Sequence, residues 1–145
     1  LFYVHGNHDT TFKHHPPEGC DSIDGIVQTY KGLRFLGLGG SMCYSGRAHQ
    51  YSEKDMEKRI KKLRWQLRRN KGFDILVTHA PPYGIGDGPG LTHTGFKSFL
   101  TLMDKYKPRY MFHGHMHLNY GRLERIHKYG DTTIINGYDH YFIDI

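Results

Sequence analysis

The chain has 145 residues, of which 37% are hydrophobic and 23% charged, and this composition suits one folded domain over residues 1–145. Its formal net charge of +6, with 12 histidines, favours an anionic partner such as a phosphate ester or a nucleic acid. No apolar run is long enough to cross a bilayer, and two cysteines do not make a disulfide scaffold. We therefore expect a cytoplasmic protein with no membrane partner.

The first predicted element is a buried strand at residues 1–4, followed by a polar loop at residues 5–9. A domain seldom begins in the middle of a buried strand, so we expect that an N-terminal segment is absent from this sequence. The uncovered edge of that strand would then seek another strand. A homodimer through this edge is the predicted consequence.

Two strands at 26–30 and 33–38 are joined at Lys31-Gly32, which predicts a β-hairpin. Ser52 then begins a long helix, with Asp55 completing a capping pattern and Gly72 ending the helix. Its apolar stripe consists of residues at helical spacing: Met56, Ile60, Leu63 and Leu67. Most of its basic residues avoid this stripe, which favours a solvated face over a nucleic-acid groove.

The rest of the chain alternates strands and helices. The predicted elements are a strand at 73–78, a Pro/Gly-rich loop at 80–94, a helix at 96–106, a strand at 109–112 and a hairpin of 121–129 with 132–145. This order indicates an α/β fold or a mixed sandwich, with functional loops after the strands.

Three histidines stand at alternate positions after the last predicted helix: His113, His115 and His117. Alternate residues of an extended strand point the same way, so their imidazoles are expected to lie together. Histidine is the commonest metal ligand in proteins, through a neutral ring nitrogen. The cluster therefore predicts a bound cation.

Three apolar strands each lead into side chains that can bind a metal. Asn7 follows the first strand, His79 ends the strand at 73–78, and the histidine cluster follows the strand at 109–112. Because the carboxyl ends of strands in an open α/β sheet face one crevice, these side chains are expected to converge.

Three motifs carry a family resemblance: Gly6-Asn7-His8-Asp9, Val77-Thr78-His79 and Gly114-His115-Met116-His117. In this order they resemble the calcineurin-like metallophosphoesterases. The resemblance implies an α/β fold, a two-sheet αββα sandwich flanked by helices. It also implies a metal-dependent hydrolase acting on a phosphomonoester or phosphodiester substrate.

The resemblance also implies residue roles. Asn7, His79 and His115 would bind one metal, and His117 would bind a second. His8 would lie beside the substrate phosphate as the catalytic residue that helps the leaving group depart. The implied cofactors are two divalent ions of the manganese, iron and zinc group, which activate water.

The sequence departs from the family pattern at its start. The family's Asp-x-His and Gly-Asp-x-x-Asp motifs, which supply further metal ligands, do not occur in the expected order, so the fold is expected to be incomplete at the N-terminus. We predict that this chain alone binds at most one metal firmly and is inactive or weakly active.

Four further residues keep two interpretations each. Asp9 either orients His8 or caps a turn, and His113 supports the metal ligands or is structural. Asp87 and His93, in the loop after His79, either contact substrate or stabilise the loop.

Two alternative functions remain open from sequence. One is a non-catalytic interaction module on the same fold, since metal ligands are missing. The other is a nuclease-type member acting on DNA or RNA, which the positive charge mildly supports.

Overall fold

A computed structural model describes residues 1–12, 14–118 and 124–145. The strands, in chain order, are β1 (Phe2–Tyr3), β2 (Asp21–Ser22), β3 (Val27–Tyr30), β4 (Leu33–Leu38), β5 (Ser41–Met42), β6 (Gln50–Tyr51), β7 (Ile75–Thr78), β8 (Tyr110–His113), β9 (Ile126–Tyr129) and β10 (Thr132–Asn136). The helices are α1 (Glu53–Lys62), α2 (Arg64–Arg69) and α3 (Lys97–Tyr106).

A six-stranded mixed sheet runs through the protein in the order β3-β4-β7-β8-β10-β9. Its four central strands are parallel, and β3 and β9 are antiparallel edge strands. The predicted β3–β4 hairpin is confirmed. Lys31 and Gly32 both have positive φ, 48° and 80°, as a two-residue type I′ turn requires.

The predicted long helix is interrupted. Ser52 caps α1 as expected, since its Oγ accepts from the backbone N–H of Asp55 at 3.1 Å. At Leu63 the backbone N–H bonds to Ile60, three residues back, and this tight turn separates α1 from α2. Gly72, with φ 92°, ends the helical segment as predicted.

The helices pack on one face of the central sheet. Met56, Leu67 and Phe99 from the helices contact the same buried cluster as Leu76 and Met111 from the strands. Along β8 buried residues alternate with half-buried ones, as expected for a strand that packs against the core on one face. This packing holds the carboxyl ends of β7 and β8 side by side.

Several predicted boundaries are wrong. The first strand is only two residues long and half-buried, and it pairs with β2 in a separate ribbon. The last strand ends at Asn136 rather than at residue 145, because the Asn136 side chain accepts from the backbone N–H of Tyr138 and the chain turns there. The predicted strand segment at 121–123 lies outside the described residues. Among the described residues, no helix is long and apolar enough to cross a membrane.

Candidate metal centre

A cavity of about 670 Å³ lies where the loops after β1, β7 and β8 meet. Its lining consists of Gly6, Asn7, His8, Asp9, Tyr44, His79, Thr92, His93, His115, Met116, His117 and Tyr138. The three motif segments therefore converge, as the arrangement of strand ends predicted.

In this cavity, one ring nitrogen of His79 lies close to polar atoms from the two other motif loops. The Nε2 atom of His79 lies 2.9 Å from Oδ1 of Asn7 and 3.0 Å from Nδ1 of His115. Asn7 is almost fully buried, with 3% of its surface exposed. Imidazole nitrogens and an amide oxygen held this close together are groups that would hold a divalent cation.

The ring orientation of His115 is set by the loop after β7. Its Nε2 atom lies 2.6 Å from the backbone carbonyl oxygen of Thr92. A carbonyl only accepts hydrogen bonds, so Nε2 carries the proton and Nδ1 keeps a lone pair toward His79. Backbone contacts of this kind commonly fix the tautomer of a metal-binding histidine.

The protonation states also suit a cation. Burial, and after it the neighbouring ring of His115, lowers the pKa of His79 to about 4. Burial likewise lowers the pKa of His115. Both rings are therefore neutral at pH 7. With His115 Nδ1 unprotonated, at most one proton lies among three lone-pair atoms, which leaves an excess of acceptors.

The described residues that meet at Nε2 of His79 in this cavity offer two imidazoles and one amide. No group of three His, Cys, Asp or Glu side chains converges within the described ranges, and the third donor at this point is the Asn7 amide. Two imidazoles and an amide oxygen suit a divalent ion of the zinc and manganese group.

The Gly6-Asn7-His8-Asp9 turn is closed by its own acid. The Oδ2 atom of Asp9 accepts from the backbone N–H of Gly6 at 2.6 Å, so this carboxylate stabilises the turn. A Cβ atom on Gly6 would lie only 2.9 Å from Cε1 of His79, which explains the need for glycine here. His8 is exposed and lines the cavity.

The expectation that the three alternate histidines point the same way is wrong. The strand ends at His113, and His115 has φ 64°, in the left-handed region, so the alternation of an extended strand stops. His113 is buried away from the cavity lining, and its Nδ1 donates to the carbonyl oxygen of Gly114 at 3.0 Å. His117 lines the cavity, with its ring centre 4.7 Å from that of Tyr138.

The structure gives different positions to Asp87 and His93, the two residues in the loop between β7 and α3 whose roles the sequence does not decide. Asp87 accepts from the backbone N–H of Gly95 at 3.0 Å and lies outside the cavity lining, which favours loop stabilisation. His93 lines the cavity, and its ring centre lies 6.0 Å from that of His115.

Sequence reasoning missed three contacts at the site: those of Tyr44, Thr92 and Tyr138. Tyr44 accepts from Asn7, Thr92 acts through its backbone carbonyl, and Tyr138 packs on His117. None of these residues belongs to a motif. A contact made by a backbone carbonyl cannot be predicted from the residue type, because every residue has such a carbonyl.

Comparison with known proteins agrees with this geometry. A sequence profile described as calcineurin-like phosphoesterase matches residues 1–119. The chain belongs to the calcineurin-like phosphoesterase family. Members of this phosphoesterase family generally use divalent metal ions, and the motif residues of the candidate centre lie within the matched range.

A curated relative of this chain is much longer than the chain itself. The protein UPF0046 protein K07C11.7 of Caenorhabditis elegans is 31% identical over 115 residues, which is 79% of this chain but 34% of the worm protein. The chain therefore spans about a third of that relative.

Solved structures show the same fold. One crystal structure superposes with a TM-score of 0.65 at 17% identity, covering 94% of this chain and 56% of the other. The crystal structure of TT1561 from Thermus thermophilus gives a TM-score of 0.50 at 17% identity, covering 80% of this chain and 48% of the other. Together with the family match, these likenesses confirm the expected α/β metallophosphoesterase fold class.

Proposed function

We propose that this protein is a metal-dependent phosphoesterase whose first metal ion is bound by Asn7, His79 and His115. The observation that carries the proposal is that Nε2 of His79 lies 2.9 Å from Oδ1 of Asn7 and 3.0 Å from Nδ1 of His115, on loops from three different strands. At most one proton lies among these three atoms, and a single proton cannot be directed at both close contacts, so a cation would complete the pairing in this partly buried site.

The other cavity residues have proposed roles in the same reaction. His117 contributes to a second metal position, and His8 donates a proton or hydrogen bond toward the leaving oxygen of a phosphate ester. When bound, divalent ions lower the pKa of water and neutralise the charge on phosphate. His8 suits its role because histidine exchanges protons near neutral pH and its side chain is exposed in the cavity.

The 145-residue chain is proposed to bind one metal firmly and to hydrolyse phosphate esters weakly. Within the described part of the chain, no group of three His, Cys, Asp or Glu side chains that could hold a metal ion forms around His117. Without further ligands, a second ion is not held in place to orient the attacking water.

Metal titration tests the proposal directly. We expect the 145-residue chain to bind close to one Mn²⁺ or Zn²⁺ in isothermal titration calorimetry, and Asn7→Ala and His79→Ala to weaken binding at least roughly tenfold. The matched control is His14→Ala, an exposed histidine outside the cavity.

Two results would contradict the proposal. Equal metal affinity in the wild type and in both cavity variants would show that Asn7 and His79 do not bind the metal. Binding of two ions per chain, with robust hydrolysis of bis(p-nitrophenyl) phosphate, would contradict the prediction of a single firmly bound metal.

The nuclease-type alternative is less favoured. No Lys or Arg is among the residues that line the described cavity, although the chain has 20 of them. The basic residues of α1 and α2 are mostly exposed, as expected for a solvated helix face. A steep loss of substrate affinity with salt would instead support a nucleic-acid substrate.

A further inference from the structure

Tyr44 reaches the cavity from a loop that carries none of the family motifs. This loop connects β5 and β6, and Tyr44 is half-buried in the cavity lining. The hydroxyl oxygen of Tyr44 lies 3.0 Å from Nδ2 of Asn7 and accepts a hydrogen bond from it. Tyr44 therefore contacts the amide end of Asn7 that faces away from His79.

We infer that Tyr44 is a positioning residue for Asn7, holding its amide so that Oδ1 faces the point shared with His79 and His115. This inference rests on the proposed metal centre. The two ends of an Asn amide have nearly the same shape but opposite polarity. A flipped Asn7 would present N–H groups to the cation, and the third ligand would be lost.

Tyr44 suits this task because Asn7 Nδ2 is a donor and needs an acceptor. Asn7 is 3% exposed, so water does not readily replace the tyrosine oxygen. An amide donor left without an acceptor at this depth is destabilising, which also opposes rotation of the amide toward other neighbours.

The loop that carries Tyr44 is itself fixed. The side-chain Oε1 atom of Gln50 accepts from the backbone N–H groups of Tyr44 at 3.3 Å and Ser45 at 3.0 Å. The backbone N–H of Cys43 donates to the carbonyl oxygen of Tyr51 at 3.0 Å. These contacts place the tyrosine before any metal binds, which is what a supporting residue of a binding site requires.

A double-mutant cycle on metal affinity tests the inference. In calorimetric titration with Mn²⁺, we expect Tyr44→Phe to weaken binding roughly tenfold, as is typical for a residue that supports a metal ligand. In the Asn7→Ala background the same substitution should have no further effect, because the residue on which it acts is gone. The matched control is Tyr30→Phe, on edge strand β3, which should bind Mn²⁺ as the wild type does.

Each outcome is informative. Wild-type affinity in Tyr44→Phe would overturn the inference while leaving the metal centre intact, and so would an undiminished effect in the Asn7→Ala background. A wild-type chain that binds no Mn²⁺ would overturn the proposed function, and this inference with it. If Tyr44→Phe does not fold by circular dichroism, Gln50→Ala replaces it and should weaken binding severalfold by freeing the loop.

Discussion

The space around single residues decides whether the proposed metal ligands keep their positions. Gly6 shows this most clearly, since any side chain there would press on the ring of His79 and on the carboxylate of Asp9. The backbone of Gly6 is not in the left-handed region, so the constraint is one of volume rather than of φ. The glycine of this motif is therefore explained by the close approach of two loops.

Substituting this glycine gives a testable prediction. In Gly6→Ala, the added Cβ would lie 2.9 Å from Cε1 of His79, so the ring must shift and Mn²⁺ affinity should fall roughly tenfold. Overpacking should also lower the free energy of unfolding by about 1–3 kcal/mol. Calorimetric titration and thermal unfolding measure the two effects.

A matched control is available in Gly137→Ala. Its Cβ would meet the carbonyl oxygen of His113 at 3.6 Å, an ordinary contact, so metal affinity and stability should both stay near the wild type. Equal metal affinity in Gly6→Ala and Gly137→Ala would contradict the role assigned to the Gly6–His79 contact.

At the scale of elements, α3 is capped by a distant helix rather than by its own sequence. Its N-cap, Phe96, offers no side-chain cap. The carboxylate of Glu53 at the start of α1 accepts from the backbone N–H groups of Lys97 at 2.9 Å and Ser98 at 2.8 Å. Glu53 thus supplies the acceptors and the negative charge that a helix N-terminus favours.

We predict that Glu53→Ala lowers the free energy of unfolding by about 1 kcal/mol, the usual value of an N-terminal cap. Urea unfolding followed by circular dichroism would measure the change. The control is Glu57→Ala, one turn further along α1 and exposed, which should leave stability nearly unchanged. A similar loss in both variants would mean that helix charge, not capping of α3, is responsible.

A second element contact joins strand β4 to the segment before β7. Asp74 accepts from the backbone N–H, Nε and Nη2 of Arg34, and these contacts hold the pKa of Asp74 below its ordinary value. A carboxylate with a lowered folded-state pKa stabilises the protein above the ordinary pKa. That stabilisation is lost as pH falls through the lowered value.

We therefore predict that Asp74→Asn lowers stability by about 2 kcal/mol at neutral pH but much less in strong acid. The melting temperature followed from about pH 7 down to about pH 2 would show the variant and the wild type converging at the acid end. Asp131→Asn, at an exposed position, serves as the control. A constant difference across this pH range would contradict the linkage.

How far the sequence predicts these features depends on whether their cause is local. The hairpin at Lys31-Gly32, the Ser52 cap and the stop at Gly72 are predictable because each depends on a few adjacent residues. The meeting of His79 with His115 is predictable because β7 and β8 are parallel neighbours whose ends share one edge of the sheet. Asn7 follows β1, which lies in a separate ribbon, so its approach to His79 depends on contacts between distant segments.

The features that the sequence does not predict depend on contacts between distant segments. The orientation of His113 cannot be read from alternation, because the turn at His115, with φ 64°, interrupts the strand pattern. The contacts of Tyr44 with Asn7 and of Glu53 with α3 join residues 37 and 44 or more positions apart. No local pattern marks such partners.

At the scale of the whole molecule, the homodimer through the first strand stays a prediction. β1 pairs with β2 on one side, and no other strand joins that ribbon among the described residues. Leu1 is 89% exposed beside it. An open strand edge with apolar neighbours favours pairing with a second copy.

Sedimentation velocity over a range of concentrations tests this pairing. We expect a monomer–dimer equilibrium for the wild type and a shift toward monomer in Leu1→Glu, because a charge at a strand edge opposes pairing. A folded chain that stays monomeric at every concentration would contradict the prediction.

The contact between His115 and the carbonyl oxygen of Thr92 links the loop over the cavity to the proposed ion. A bound ligand large enough to displace the loop that carries Thr92 would break this contact and free Nε2 of His115. The imidazole of His115 would then be able to rotate or to change tautomer. Tolerance of large substrates and retention of the ion are thus opposing demands on this protein. Enlarging the entrance should make the ion easier to extract with a chelator.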